Sequence, residues 1–233
     1  GPTGCGKTTT LYAVVKHLAG PGVKIMTVED PVEMLLPGVT QSPVRPAEGL
    51  TFARLLRAML RSAPNAMLCG EIRDRETLML CLQSAMTGHQ MLTVLHTDSA
   101  ASALVRMRDL GAEPFTITDA TRLLINQRLL RRLCPHCAKP VDRDAAESVR
   151  QLRDLAAACR AELPPEGEAK RAVGCRECRD TGYLGRVVIA ESLAMTRRVA
   201  AEVRDGASAD RIEAVAVEEG MTPLAADGLL RVE

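Results

Sequence analysis

Gly1-Pro2-Thr3-Gly4-Cys5-Gly6-Lys7-Thr8 reads G-x-x-x-x-G-K-T with no residue out of place, and Thr9 continues it into an amphipathic stretch. A loop of this kind turns successive backbone N–H groups toward phosphates and leads into a helix whose N-terminus carries the positive end of its dipole. Lys7 is then placed to reach the β- and γ-phosphates, and the Thr8 hydroxyl to ligate Mg²⁺. Such a motif follows a strand, and none precedes it here. The chain is therefore expected to be a fragment of a longer protein, and the segment alone to turn over little ATP.

Outward from the loop, residues 7–19 alternate apolar and polar at helical spacing until Gly20-Pro21-Gly22 stops them. Residues 23–28 form a short apolar run of strand length ending at Glu29-Asp30-Pro31. Residues 32–49, with Pro37, Pro43 and Pro46, read as a long loop or irregular hairpin. Thr51 is placed to cap a helix to about residue 62. Residues 66–69 read as a buried strand, 75–86 as a helix and 91–95 as a further strand leading to His96. This alternation argues for an α/β fold with a parallel sheet covered on both faces. Beyond it, 99–110 and 115–130 are expected as consecutive helices, 144–162 as a charged helix, 163–168 as a solvated connection and 187–190 as a short strand before small helices. The organisation expected is a core over 1–133, a cysteine-punctuated lobe over 134–185 and a C-terminal region over 186–233.

Composition narrows the function. Hydrophobic residues make up 46% and charged residues 25% of 233, ordinary for a globular protein, so the chain holds a full core and one small appended unit. Formal net charge is +1 and aromatics are 2%, which argues against a basic stripe or a base-stacking platform for nucleic acid. No apolar run approaches the ~20 residues of a membrane span.

A P-loop enzyme needs a carboxylate near the Mg²⁺ and the attacking water, delivered from the end of a neighbouring buried strand. Glu71, after Met67-Leu-Cys-Gly70, fits; Glu29, at the end of the first strand, fits as well. Asp30, Glu33 and Asp74 are weaker candidates, as capping or surface residues. His89 and His96 flank one expected strand, His96 at the ligand-binding edge and His89 at the far end. A histidine there can serve the phosphate or simply hold structure. Arg54, Arg57, Arg61, Arg73 and Arg128 could neutralise phosphate charge, or be solvated surface.

The eight cysteines divide in two. Cys5, Cys69, Cys81 and Cys159 are scattered, as buried thiols often are. Cys134, Cys137, Cys175 and Cys178 form two C-x2-C hooks, which suit tetrahedral Zn²⁺ with no open position for catalysis. A closed site of that kind contributes on the order of 10 kcal/mol to folding its lobe. Four unrelated thiols, or an iron–sulfur cluster, are the alternatives.

Taken in order, these motifs resemble the secretion ATPase family of type II secretion and type IV pilus assembly motors. Residues 1–12 look like its Walker A segment, Thr27-Val-Glu-Asp-Pro-Val-Glu33 its aspartate box, Leu68-Cys-Gly-Glu-Ile-Arg-Asp74 its Walker B segment, and Thr87-Gly-His89 through Leu95-His-Thr97 its histidine box. Gln127-Arg-Leu129, Leu133-Cys-Pro-His-Cys137 and the stretch from Gly174 to Arg186 complete the pattern. The resemblance implies a RecA-like P-loop core with an inserted zinc-binding tetracysteine lobe and a small helical C-terminal region. It implies Glu71 as the principal catalytic carboxylate, Glu29 assisting, His89 and His96 at the γ-phosphate, and Arg57 and Arg61 facing the nucleotide. ATP, Mg²⁺ and Zn²⁺ follow as cofactors. A homo-hexameric ring is implied on the cytoplasmic face of a bacterial inner membrane, driving a platform protein and held peripherally at the membrane by partners, with no direct contact to nucleic acid expected. The tetracysteine lobe favours an assembly or secretion motor over a retraction motor.

The chain departs from the family pattern at Cys5, where a serine is usual, and at Ala63 and Asn65, where an acidic pair is usual. Amino-terminal domains are also expected to be absent, and the chain to stop early at Glu233. Two alternative functions stand beside the motor: a nucleic-acid translocase of a DNA transfer or uptake system, and a nucleotide-binding scaffold with negligible hydrolysis.

Overall fold

Two apolar runs, Ile25–Glu29 (β1) and Ala66–Cys69 (β3), lie side by side as the buried centre of a parallel sheet. The computed structural model describes residues 1–140 and 170–231 together with positions 150, 154, 156 and 157. Most of the helix expected over 144–162, the connection 163–168 and Cys159 lie outside the described residues. The chain divides into two compact units, residues 1–124 with 193–216, and residues 125–192 with 217–233.

The first unit holds a four-stranded sheet in the order β2-β1-β3-β4, with β2 at Val39–Pro43 and β4 at Gln90–Thr93. Every pairing is parallel, with Ile25 opposite Val39 and Ala66, and Ala66 opposite Gln90. Parallel strands require crossovers. These are α2 (Phe52–Leu60) between β1 and β3 and α3 (Arg75–Met86) between β3 and β4, preceded in the chain by α1 (Lys7–Leu18). The Thr51 side chain accepts from Arg54 N–H, and Asp74 accepts from Thr77 N–H, so each helix starts on a residue whose oxygen satisfies a first-turn amide. Tyr12 and Val15 of α1 pack with Ile25, Leu36, Ala66 and Leu68 to form the core under the loop. Cys5, Cys69 and Cys81 are buried thiols. Then follow α4 (Ala100–Asp109), α5 (Pro114–Ala120), α6 (Arg197–Arg204) and most of α7 (Ala209–Glu218). Arg204 fastens α6 to α5, meeting Asp119 at 3.1 Å and Thr118 Oγ1 at 3.1 Å.

The second unit is built on β5 (Leu123–Leu133) paired with β8 (Tyr183–Ala194), with the short pair β6 (Lys139–Pro140) and β7 (Lys170–Arg171), and α8 (Leu224–Leu229). Buried Glu191 accepts from Asn126 Nδ2 at 3.0 Å and from Leu224 N–H at 3.3 Å. Among the described residues no helix is long and apolar enough to cross a membrane.

Three sequence expectations change. The helix read over 115–130 ends at Ala120, and Leu123–Leu133 is a strand. Leu and Arg are good helix formers, and only pairing with a distant segment reveals the strand. The expected short strand 187–190 is the twelve-residue partner Tyr183–Ala194. Within 32–49, Val39–Pro43 joins the sheet parallel to β1; Pro43 ends it opposite Glu29, at a sheet edge where a missing N–H is tolerated.

Candidate active site and metal centre

The loop Gly1–Gly6 turns at Gly4 (φ +78°) and Gly6 (φ +91°), the left-handed conformations open to glycine. Gly6 begins α1 with no side-chain cap, which leaves first-turn amide donors for an anion. Lys7 Nζ donates to the carbonyls of Gly1 and Pro2 at 2.7 Å each, and stands 3.5 Å from His96 Nδ1.

Glu71 is delivered by β3 through Gly70. Gly70 N–H donates to Val28 O at 2.8 Å, and a Cβ there would meet Val28 O at 3.2 Å and Glu29 Cα at 3.3 Å. The glycine lets the end of β3 continue close beside the backbone of β1. Glu71 is 15% exposed at its side chain; its Oε2 lies 3.4 Å from His96 Nε2, and its Oε1 accepts from Arg73 Nη2 at 2.5 Å. Arg73 also reaches Asp30 at 3.5 Å. Hydrogen bonding to Glu71 pushes the Arg73 guanidinium above its ordinary range, against the opposing effect of partial burial.

Glu29 closes β1 and is 3% exposed. It accepts from the hydroxyls of Tyr12 and Thr27 and from Gln41 Nε2 at 3.1 Å. Burial first, then the hydrogen bond to Glu29 and its charge, push the Tyr12 phenol above its ordinary range. The Asp30–Pro31 peptide is cis. Thr8 Oγ1 donates to Glu33 Oε1 at 3.3 Å. Thr8, Tyr12, Glu29, Asp30, Glu33 and Glu71 together line one cleft beside the loop.

The other expected site residues lie elsewhere. His89 sits just before β4, at the opposite end from His96, with Nδ1 3.2 Å from Ser84 O and from Thr87 Oγ1. Arg57 on α2 pairs with Glu76 of α3, and Arg61 is the exposed residue ending α2. Asp74 is the α3 cap. Sequence reading assigned no site role to Tyr12 or Gln41, nor to the Thr27 hydroxyl. The available signal was that Tyr12 follows Thr8 by four residues on a helix, which puts both on one face.

In the second unit the Sγ atoms of Cys134, Cys137, Cys175 and Cys178 all lie within 4.8 Å of one another. Measured edges are 3.9 Å (Cys134–Cys175), 3.8 Å (Cys137–Cys178) and 3.7 Å (Cys175–Cys178). A zinc–sulfur bond of about 2.3 Å in a tetrahedron sets sulfurs about 3.8 Å apart, so the donor set fits Zn²⁺. Backbone N–H groups point at the sulfurs: Gly174 to Cys137 at 3.4 Å, and Cys175 and Gly182 to Cys178 at 3.2 Å each. Burial pushes the Cys178 thiol up, but those amides and the neighbouring thiols outweigh it and bring it down to about 6. Burial with the neighbouring thiols takes Cys137 up to about 11.

Residues 1–233 match the family model described as Type II/IV secretion system protein. The type IV pilus assembly ATPase PilB of Thermus thermophilus is 41% identical over 231 residues, 99% of this chain and 25% of that protein. The type II secretion system protein E of Klebsiella pneumoniae is 42% identical over 208 residues, 88% of this chain and 39% of that protein. This chain thus spans well under half the length of either relative. Among solved structures, the pilus retraction motor PilT with bound ADP aligns with a TM-score of 0.60 at 22% identity, over 97% of this chain and 58% of that one. The ATPase DotB of Legionella pneumophila aligns with a TM-score of 0.63 at 23% identity, over 99% and 54%. Both likenesses concern the α/β fold with its parallel sheet. With a family model matched from end to end and curated relatives about 40% identical, this chain belongs to the Type II/IV secretion system protein family.

Proposed function

We propose that this chain is the ATP-hydrolysing segment of a motor for type II secretion or type IV pilus assembly. The observation that carries the reading is the line Lys7–His96–Glu71, with steps of 3.5 and 3.4 Å at the mouth of a glycine-turned loop. A phosphate-seeking cation and a strand-end carboxylate, with a histidine between them, suit hydrolysis of a terminal phosphoryl group.

In this reading the backbone of Gly1, Pro2, Thr3, Gly4, Cys5, Gly6, Lys7, Thr8 and Thr9 cradles the triphosphate. Lys7 exchanges the carbonyls of Gly1 and Pro2 for phosphate oxygens. Thr8, with the cleft carboxylates, holds Mg²⁺, which neutralises charge on the β- and γ-phosphates. Glu71 orients and deprotonates water, Glu29 assists, and His96 holds Glu71 toward the γ-phosphate. His89, Arg57 and Arg61 are not among the residues lining this cleft; in this reading they serve the nucleotide in the assembled ring. Cys134, Cys137, Cys175 and Cys178 hold a structural Zn²⁺ in the lobe 134–185.

The machine-level part of the proposal follows from the family resemblance of the motifs; the relatives' names speak for type IV pilus assembly and type II secretion alone. It is a homo-hexamer at the cytoplasmic face of a bacterial inner membrane, working on a platform protein without contacting nucleic acid. The test is Mg²⁺-dependent ATPase of the intact, assembled protein beside Lys7→Ala. Turnover lost in the variant supports the reading, and equal turnover in both contradicts it. Crosslinking in native cells should capture an inner-membrane protein.

A further inference from the structure

Glu29 offers two oxygens and three donors converge on them. Oε1 accepts from Thr27 Oγ1 and Gln41 Nε2, which occupies both of its lone pairs. Among the described residues Oε2 accepts from the Tyr12 hydroxyl alone, which leaves it one lone pair. Tyr12 belongs to the P-loop helix, and its own oxygen accepts Glu33 N–H at 3.2 Å, which commits the phenolic proton to Glu29. Glu33 in turn accepts from Thr8 at 3.3 Å. One oxygen atom, 4% exposed as a residue, therefore joins α1, the end of β1 and the loop after it.

Packing does not explain that hydroxyl. Tyr12 belongs to an apolar core cluster with Val15, Ile25, Leu36, Ala66 and Leu68, a setting that phenylalanine would fill equally well. A buried hydroxyl is costly without partners, so its presence points to Glu29 and Glu33. The other acidic groups lining the cleft are Asp30, Glu33 and Glu71, and Arg73 is engaged by Glu71 and Asp30, so the Tyr12 hydroxyl is the group of α1 that donates to Glu29.

Resting on the reading that this cleft hydrolyses ATP, we propose that the Tyr12 hydroxyl is the positioning group of Glu29. It fixes Oε2 so that the single remaining lone pair is presented to the attacking water. Tyr12 touches neither nucleotide nor water; it acts through Glu29.

The test is a double-mutant cycle in the intact, assembled protein: wild type, Tyr12→Phe, Glu29→Gln and the double variant, with kcat, KM and the Kd of a fluorescent Mg·ATP analogue measured for each. Tyr12→Phe is expected to lower kcat about tenfold or more while Kd stays within about twofold, as loss of positioning does. In the Glu29→Gln background the same change is expected to have no further effect. Unchanged kcat in Tyr12→Phe, or losses that multiply in the double variant, would overturn the proposal. A wild type without turnover would instead remove the ATPase reading. Thermal unfolding of the same four proteins then decides the link, non-additive shifts supporting it and additive ones overturning it.

Discussion

His96 presents Nε2 to Glu71 Oε2 at 3.4 Å, although the two residues come from the ends of different strands. The arrangement follows from parallel register: β3 and β4 pair with Cys69 opposite Thr93, and each chain end runs on past the sheet on the same side. Ile72 N–H donating to Val94 O at 2.9 Å continues the pairing beyond the strands and fixes the approach. Ligands of open α/β sheets bind at that carboxyl edge.

His96 is expected to act on Glu71, because Arg73 competes for the same carboxylate from 2.5 Å. His96→Asn should lower maximal turnover about tenfold to a hundredfold with little change in nucleotide affinity. Steady-state kinetics beside equilibrium binding checks this. A fall in affinity with unchanged turnover would assign His96 to ground-state binding instead.

Gly70 governs both stability and geometry. In Gly70→Ala the new Cβ meets the backbone of Val28 and Glu29 at 3.2 and 3.3 Å, and backbone atoms of two central strands yield little. The expected cost is about 1–3 kcal/mol of stability. Turnover should fall too, since any shift of β3 carries Glu71 with it. Thermal unfolding and the ATPase assay together test this; a variant unchanged in both would contradict the close approach of the two backbones.

The sulfur tetrahedron should bind one Zn²⁺ per chain, measured by elemental analysis of the purified protein. Cys178→Ser removes the sulfur that receives amide donors from both Cys175 and Gly182, so zinc content should drop to near zero. Hydrogen exchange should then quicken in β5, β8 and the β6–β7 pair, because binding energy at such sites is folding energy. Full zinc occupancy in the variant would exclude the four-thiolate site.

Much of this was legible in the sequence, and the reason is local. The P-loop glycines, the Thr51 and Asp74 caps and the apolar runs at 23–28 and 66–69 each carry their conformation in a few adjacent residues, although the first strand lies at Ile25–Glu29. Arg75–Met86 and Ala66–Cys69 coincide with the elements expected there. The two C-x2-C hooks announced a cluster whose sulfurs do converge. What stayed hidden depends on distant partners. Leu123–Leu133 is a strand only because Tyr183–Ala194 lies beside it. Val39–Pro43 is in the sheet only because β1 offers an edge. The Tyr12–Glu29 bond joins a helix to a strand across an apolar core, and no periodicity encodes it. The separation of His89 from His96 was legible, since a strand lay between them.

The most direct measurement of the central claim is single-turnover hydrolysis of Mg·ATP by the intact, assembled Glu71→Gln variant, with nucleotide affinity determined on the same sample. The account expects wild-type affinity and a rate lower by about a hundredfold or more, as when a water-activating carboxylate is made neutral. A variant that binds and hydrolyses at the wild-type rate would contradict it.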